Sequence, residues 1–182
     1  MAAFLLLYLP IQWLFALIVA CVIHETGHFV AIWILSGVKP SVHITAKGAF
    51  MHAPALTDGQ ELIAALAGPA FGMLTLIFGK WIPRTAFCAF FHSMYNLLPL
   101  YPMDGGRAAC SMMTLLFSER TANTLCELLR WSCLSLIIAT GFYGTFVVNL
   151  GILPVMLSIT VFYRATKNTL QRSEREGTIV LP

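Results

Sequence analysis

Long apolar runs broken by short polar stretches organise this chain. Residues 3–36 are almost continuously apolar, and a polar, turn-rich stretch, "SGVKPSVHITAKGAFMHAPALTDGQ", follows them. Apolar segments return at about 60–79, 85–117, 122–140 and 144–163, and then comes the polar "RATKNTLQRSEREG". Crossing the hydrocarbon of a bilayer takes about 20 apolar residues in a helix. The pattern therefore predicts an all-α polytopic membrane protein with five transmembrane helices. A break near Pro10 would split the first run and make six.

Two interruptions stand out. The run 85–117 is broken by "NLLPLYPMDGG", where Pro99 and Pro102 each remove a backbone donor and Gly105-Gly106 permits close backbone approach. Backbone groups freed at membrane depth must face protein or a water-filled cavity. A cavity-lining role is preferred here over a plain kink. Between the first two runs, "SVHITAKGAFMH" alternates at Val42, Ile44 and Ala46 and has a turn signal at Gly48. That is the pattern of a β-hairpin, with a solvated loop as the equal alternative.

Composition agrees with a bilayer setting. The 182 residues are 58% hydrophobic and 10% charged, with a mean hydropathy of +0.80; a soluble domain carries roughly a quarter charged residues. The net charge of +3 is small and spread along the chain, which argues against a nucleic-acid partner. Cys21, Cys88, Cys110, Cys126 and Cys133 form no CxxC pair and read as reduced packing residues. The start, "MAAFLLLYLP", has no basic region or clean cleavage site, so a removable signal peptide is not expected. With the N-terminus outside, Lys39, Lys47, Arg120, Arg130, Arg164, Lys167, Arg172 and Arg175 fall on the cytoplasmic side, against Lys80 and Arg84 outside. This bias predicts a multi-pass protein of the cell membrane with its C-terminus in the cytoplasm.

Within the first run, "CVIHETGHFVAIWIL" places His24, Glu25 and His28 among apolar neighbours. Ionisable residues are costly in a membrane segment and mark function. The spelling H-E-x-x-H puts two imidazoles on one helical face, where they can share a zinc ion, with the glutamate beside the bound water. The bland reading is two buried histidines satisfied by hydrogen bonds. A catalytic zinc site needs a third protein ligand, and the next turn, "FVAIW", has none. Asp58, Asp104, His43, His52 and His92 are the other candidates. Counted along helices that run from outside to inside, His24 and Asp104 come to a common depth within one turn. His92 comes out about two turns shallower on a regular helix and reads as a packing or hydrogen-bonded residue. His43, His52 and Asp58 qualify only if their loop dips inward. Asp104 is favoured.

"HETGH" together with "NLLPLYPMDGGR" resembles the site-2 protease family of intramembrane zinc metallopeptidases, and most of all its small sporulation-type members. The family pattern N-x-x-P-x-x-P-x-D-G is matched by Asn96, Pro99, Pro102, Asp104 and Gly105. "LAGPAFGML" resembles the family's G-P-x-x-N signature at Gly68 and Pro69, with Gly72 in place of the usual asparagine. The resemblance covers roughly residues 12–117. It implies a peptidase domain over 1–163, with a core at 12–117 and accessory helices at 122–163, and a polar cytoplasmic tail at 164–182.

The resemblance further implies one Zn²⁺ per chain held by His24, His28 and Asp104, with Glu25 as general base and acid. Asn96 is implied as a substrate-positioning residue, through an amide that binds extended backbone or steadies an oxyanion. Its plain alternative is a helix-terminal cap before Pro99. A membrane-reentrant β-hairpin at 40–54 would present an edge to an unwound substrate strand. The substrate would be a transmembrane or membrane-associated protein, and its choice would lie in the membrane core, the short loops or a regulatory membrane partner. The rival class is a zinc transporter or metal-sensing membrane protein, in which a glutamate directly after the first histidine has no special purpose. An inactive scaffold ranks below both, since every proposed catalytic residue is present.

Overall fold

Pro10, with φ −53° and ψ 140°, precedes a helix that runs unbroken over Ile11–Ser36 (α1) and ends at Gly37 in the left-handed conformation, φ 70°. The computed structural model describes residues 10–45, 48–52, 54–100, 103–149 and 151–163. The option of a sixth span rests on residues before Pro10, and the tail at 164–182 follows the last described position; both lie outside the described residues.

The inward face of α1 is Ala16, Ala20, His24, Gly27, His28 and Ile32. These follow the i, i+4 spacing that lines one side of a helix. The large apolar side chains point the other way: Ile11, Phe15, Ile18, Val22 and Ile34 are all more than half exposed. Small residues inside and large ones outside suit packing in lipid, where close backbone contact drives helix association.

Strands β1 (Ser41–Thr45) and β2 (Gly48–His52) pair antiparallel, with Thr45 opposite Gly48 and Ser41 opposite His52. Helix α2 (Asp58–Leu74) starts on a reciprocal cap: the Thr57 side chain accepts from Gln60 N, and the Gln60 side chain accepts from Thr57 N. Gln60 Nε2 also donates to Leu35 O at 2.9 Å, which ties the start of α2 to the end of α1. A 3₁₀ turn extends α2 to Phe78.

The stretch 85–117 is two helices rather than one bent span: α3 (Pro83–Asn96) and α4 (Asp104–Leu116). Then come α5 (Glu119–Phe146) and a shorter apolar helix, α6 (Leu153–Tyr163). Taken singly, three helices among the described residues are long and apolar enough to cross a membrane: Ile11–Ser36, Asp58–Phe78 and Glu119–Phe146. The chain is a membrane protein, and among the described residues three of the five expected spans are single helices of that length. The Pro99 region divides one of the other two apolar runs between α3 and α4, and the second is represented by the shorter helix α6. Arg130, expected near a membrane edge, lies well inside α5 and bonds Glu127 one turn earlier.

The linker between α3 and α4 is anchored from behind. Leu100 is 1% exposed and clusters with Leu134, Cys133 and Ile137 of α5 and Val161 and Phe162 of α6. Helices α5 and α6 clasp each other where Ser158 Oγ donates to Ile137 O at 2.9 Å. The accessory helices thereby fix the segment that delivers Asp104. Pro102 lies outside the described residues.

Candidate metal centre

His24 stands midway along α1, and His28 stands one turn further on the same face, as the spacing of four requires. Asp104 is the first residue of α4, where the exposed amides of a helix N-terminus favour a carboxylate. The three side chains meet although 80 residues separate His24 from Asp104. His24 Nε2 lies 2.9 Å from Asp104 Oδ2, His28 Nε2 lies 3.1 Å from the same oxygen, and the two Nε2 atoms are 3.2 Å apart. All three residues are buried, at 2%, 6% and 7% exposure. Among the described residues this is the group of His, Cys, Asp and Glu arranged to hold a metal ion.

The surroundings of His28 show why a cation suits the cluster. His28 Nδ1 donates to the carbonyl of Ala64 at 2.7 Å. A carbonyl only accepts, so in the neutral ring the proton is on Nδ1 and Nε2 carries a lone pair. That lone pair faces a carboxylate oxygen and another imidazole nitrogen. Without a cation, a single proton on His24 Nε2 must serve two acceptors, Asp104 Oδ2 and His28 Nε2. Tetrahedral zinc, with donors at about 2.0–2.2 Å, spaces its ligand atoms about 3.3–3.5 Å apart, close to the triangle seen here. A backbone carbonyl on the second nitrogen of a ligand histidine is also the usual way of fixing its tautomer. His24 Nδ1 is buried and has no partner among the described residues.

Glycines make the room. A Cβ on Gly68 would overlap the His28 ring, and one on Gly27 would stand 2.6 Å from Ala67 O, so these two positions let α1 and α2 close on the imidazoles. A Cβ on Gly105 would stand 2.7 Å from Leu98 O and closer still to Leu97 O, which shows how tightly the linker folds under α4. At Gly72, where the resembling family has asparagine, a Cβ would collide with Ser93 Oγ of α3.

Glu25 is exposed beside the triad and makes no hydrogen bond among the described residues. His92 does not sit two turns away from His24, as counting along one regular helix suggested. Its ring centroid is 4.7 Å from that of His24, edge to face. The cause is the break after Asn96, which ends α3 and invalidates a depth counted through it. His92 is still no ligand: Nε2 meets Asn96 Nδ2 at 3.1 Å, and Nδ1 faces Cys21 Sγ at 4.0 Å. Asn96 Nδ2 also donates to His92 O at 3.1 Å. Both amide hydrogens of Asn96 are thus taken by His92, and its Oδ1 is left to accept. Asp58 starts α2 without joining the triad.

A contact that periodicity did not announce completes the site. Arg107, one turn into α4, reaches back to Asp104 Oδ1 through Nη1 at 3.4 Å. Its Nε and Nη2 hold Glu61 Oε1 of α2 at 2.8 and 2.7 Å.

No protein-family model matches the chain, and no curated protein sequence matches it. Among solved structures, it is similar to the Site-2 Protease from Methanocaldococcus jannaschii, with a TM-score of 0.59 over 84% of this chain and 75% of that one, at 20% identity. The two chains share a fold.

Proposed function

We propose that this chain is a member of the site-2 protease family, an intramembrane zinc metallopeptidase that hydrolyses peptide bonds of membrane-embedded or membrane-associated proteins. The observation that carries the reading is the buried triad of His24, His28 and Asp104, with the carboxylate of Glu25, which has no hydrogen bond among the described residues, directly after His24. The shared fold supports it. In this reading the termini have the orientation given by the Lys/Arg bias, and α3 with α4 makes one broken span.

His24, His28 and Asp104 would hold one Zn²⁺. When bound there, zinc supplies a Lewis acid that polarises a peptide carbonyl and makes water acidic enough to lose a proton near neutral pH. Glu25 takes the proton of the attacking water and returns it to the leaving amine. Asn96 serves through Oδ1, which accepts an N–H from an extended substrate backbone; its donors are occupied by His92. Of the two expected roles, this favours binding extended backbone over steadying an oxyanion. The β1–β2 pair, entering the membrane, offers an edge that replaces the hydrogen bonds lost when a substrate helix unwinds. A transport role draws no support from this geometry, since it gives Glu25 nothing to do.

The test compares wild type with Glu25→Gln in proteoliposomes that carry transmembrane-segment substrates. The variant should keep its zinc and lose cleavage by at least 10²-fold, on the order expected for a missing general base. Undiminished cleavage by Glu25→Gln removes the proposed mechanism.

A further inference from the structure

The ion-pair chain Glu61–Arg107–Asp104 lies outside both the H-E-x-x-H logic and the substrate site. Asp104 has two oxygens with different duties. Oδ2 faces both imidazoles, while Oδ1 is turned to the Arg107 guanidinium. Arg107 is itself clamped by two nitrogens on one oxygen of Glu61. Glu61 belongs to the first turn of α2, the turn fixed to α1 by the Gln60–Leu35 bond. Ala64, one turn on, provides the carbonyl that orients His28. One short stretch of α2 therefore braces two of the three members of the triad, one through a backbone carbonyl and the other through a guanidinium.

We infer that Glu61 and Arg107 are a positioning pair, which holds Asp104 as a one-oxygen donor through Oδ2 and sets the metal affinity of the site. The inference rests on the metal reading above and deepens it. The physical basis is geometric. A carboxylate with both oxygens free can rotate or offer both of them to a cation. One with Oδ1 engaged by an arginine presents only the other. The planar fork of arginine can hold Glu61 and Asp104 together, which a lysine ammonium on a flexible stem does poorly. Arg107 and Glu61 are 30% and 31% exposed, so their direct attraction is partly screened and their main effect is orientation.

The experiment measures apparent zinc affinity by chelator competition, and the visible spectrum of the Co²⁺-substituted protein, on the purified full chain in detergent. Wild type, Arg107→Gln, Arg107→Lys and Glu61→Gln are compared, with the melting temperature of each apo protein recorded. Loss of an outer-sphere partner typically weakens metal binding by about 10- to 100-fold. Arg107→Gln and Glu61→Gln should fall in that range and shift the Co²⁺ bands, and Arg107→Lys should recover only part of the loss. A merely structural pair would lower the apo melting temperature and leave affinity and spectrum unchanged, which overturns the inference. Should Arg107→Gln fail to fold, Glu61→Gln decides, because it keeps the arginine and removes only the anchor that aims it at Asp104. If wild type itself binds no zinc, the metal reading fails and not this refinement alone.

Discussion

Gly68 lies directly against the ring of His28: a Cβ added there would fall 2.6 Å from Cε1 and 2.7 Å from Cδ2. The neighbour in question is a ring held by its own bond to Ala64 O, so it cannot simply swing aside. Gly68→Ala should expel His28 from the triad and lower zinc affinity by at least 10-fold, as for a displaced ligand. Chelator competition on the purified variant checks this. Unchanged affinity would show that the ring has room that the packing denies it.

Gly105 faces backbone rather than side chain. Its missing Cβ leaves space for the carbonyls of Leu97 and Leu98, and backbone in a folded linker yields little. Gly105→Ala should cost about 1–3 kcal/mol, the range for overpacking a filled site, and should also shift the adjacent Asp104. Thermal melting in detergent measures the first effect and zinc content the second. A stable variant with full metal content would contradict the packing.

The Gly72–Ser93 contact explains why this chain departs from the asparagine of the resembling family. Ser93 is fully buried, and its hydroxyl has no partner among the described residues. The serine fills the space that a larger residue at 72 would need. Gly72→Asn alone should destabilise by about 1–3 kcal/mol, and Ser93→Gly in the same chain should recover most of the loss. A double-mutant cycle reads the coupling directly, and strictly additive effects would sever the two positions.

Asn96 should affect substrate more than metal. With both amide hydrogens on His92, Asn96→Ala removes an acceptor for substrate backbone and no ligand. Its KM should rise by about 10-fold, the worth of one hydrogen bond of roughly 1.4 kcal/mol, with zinc content unchanged. A loss confined to kcat would return Asn96 to an oxyanion role.

Much of the site was legible in the sequence because its strongest signals are local. Two histidines four apart share a helix face in any amphipathic or buried helix, and Asp104 announced itself through the proline and glycine breaks around it. Counting along the helices brought His24 and Asp104 together, since each sits on a helix that is regular from that residue to its C-terminal end. The same arithmetic misplaced His92 because α3 stops at Asn96. The Arg107–Glu61 clamp joins positions 46 apart in sequence, and no periodicity links residues on different helices. The roles of Gly68 and Gly72 were also hidden: a small residue signals close approach, but only the packed helices show that His28 and Ser93 are what approaches. The linker's dependence on α5 and α6 through Leu100 has no signature in the sequence, because one leucine among many carries no distinguishing pattern.

The account depends most on three side chains sharing one ion. The direct measurement is zinc quantification on purified wild type and Asp104→Ala after identical dialysis. The geometry predicts about one equivalent in wild type, the stoichiometry of a three-ligand catalytic site, and a small fraction of that in the variant. Equal zinc in both proteins would contradict the assignment of Asp104 as the third ligand and, with it, the centre described here.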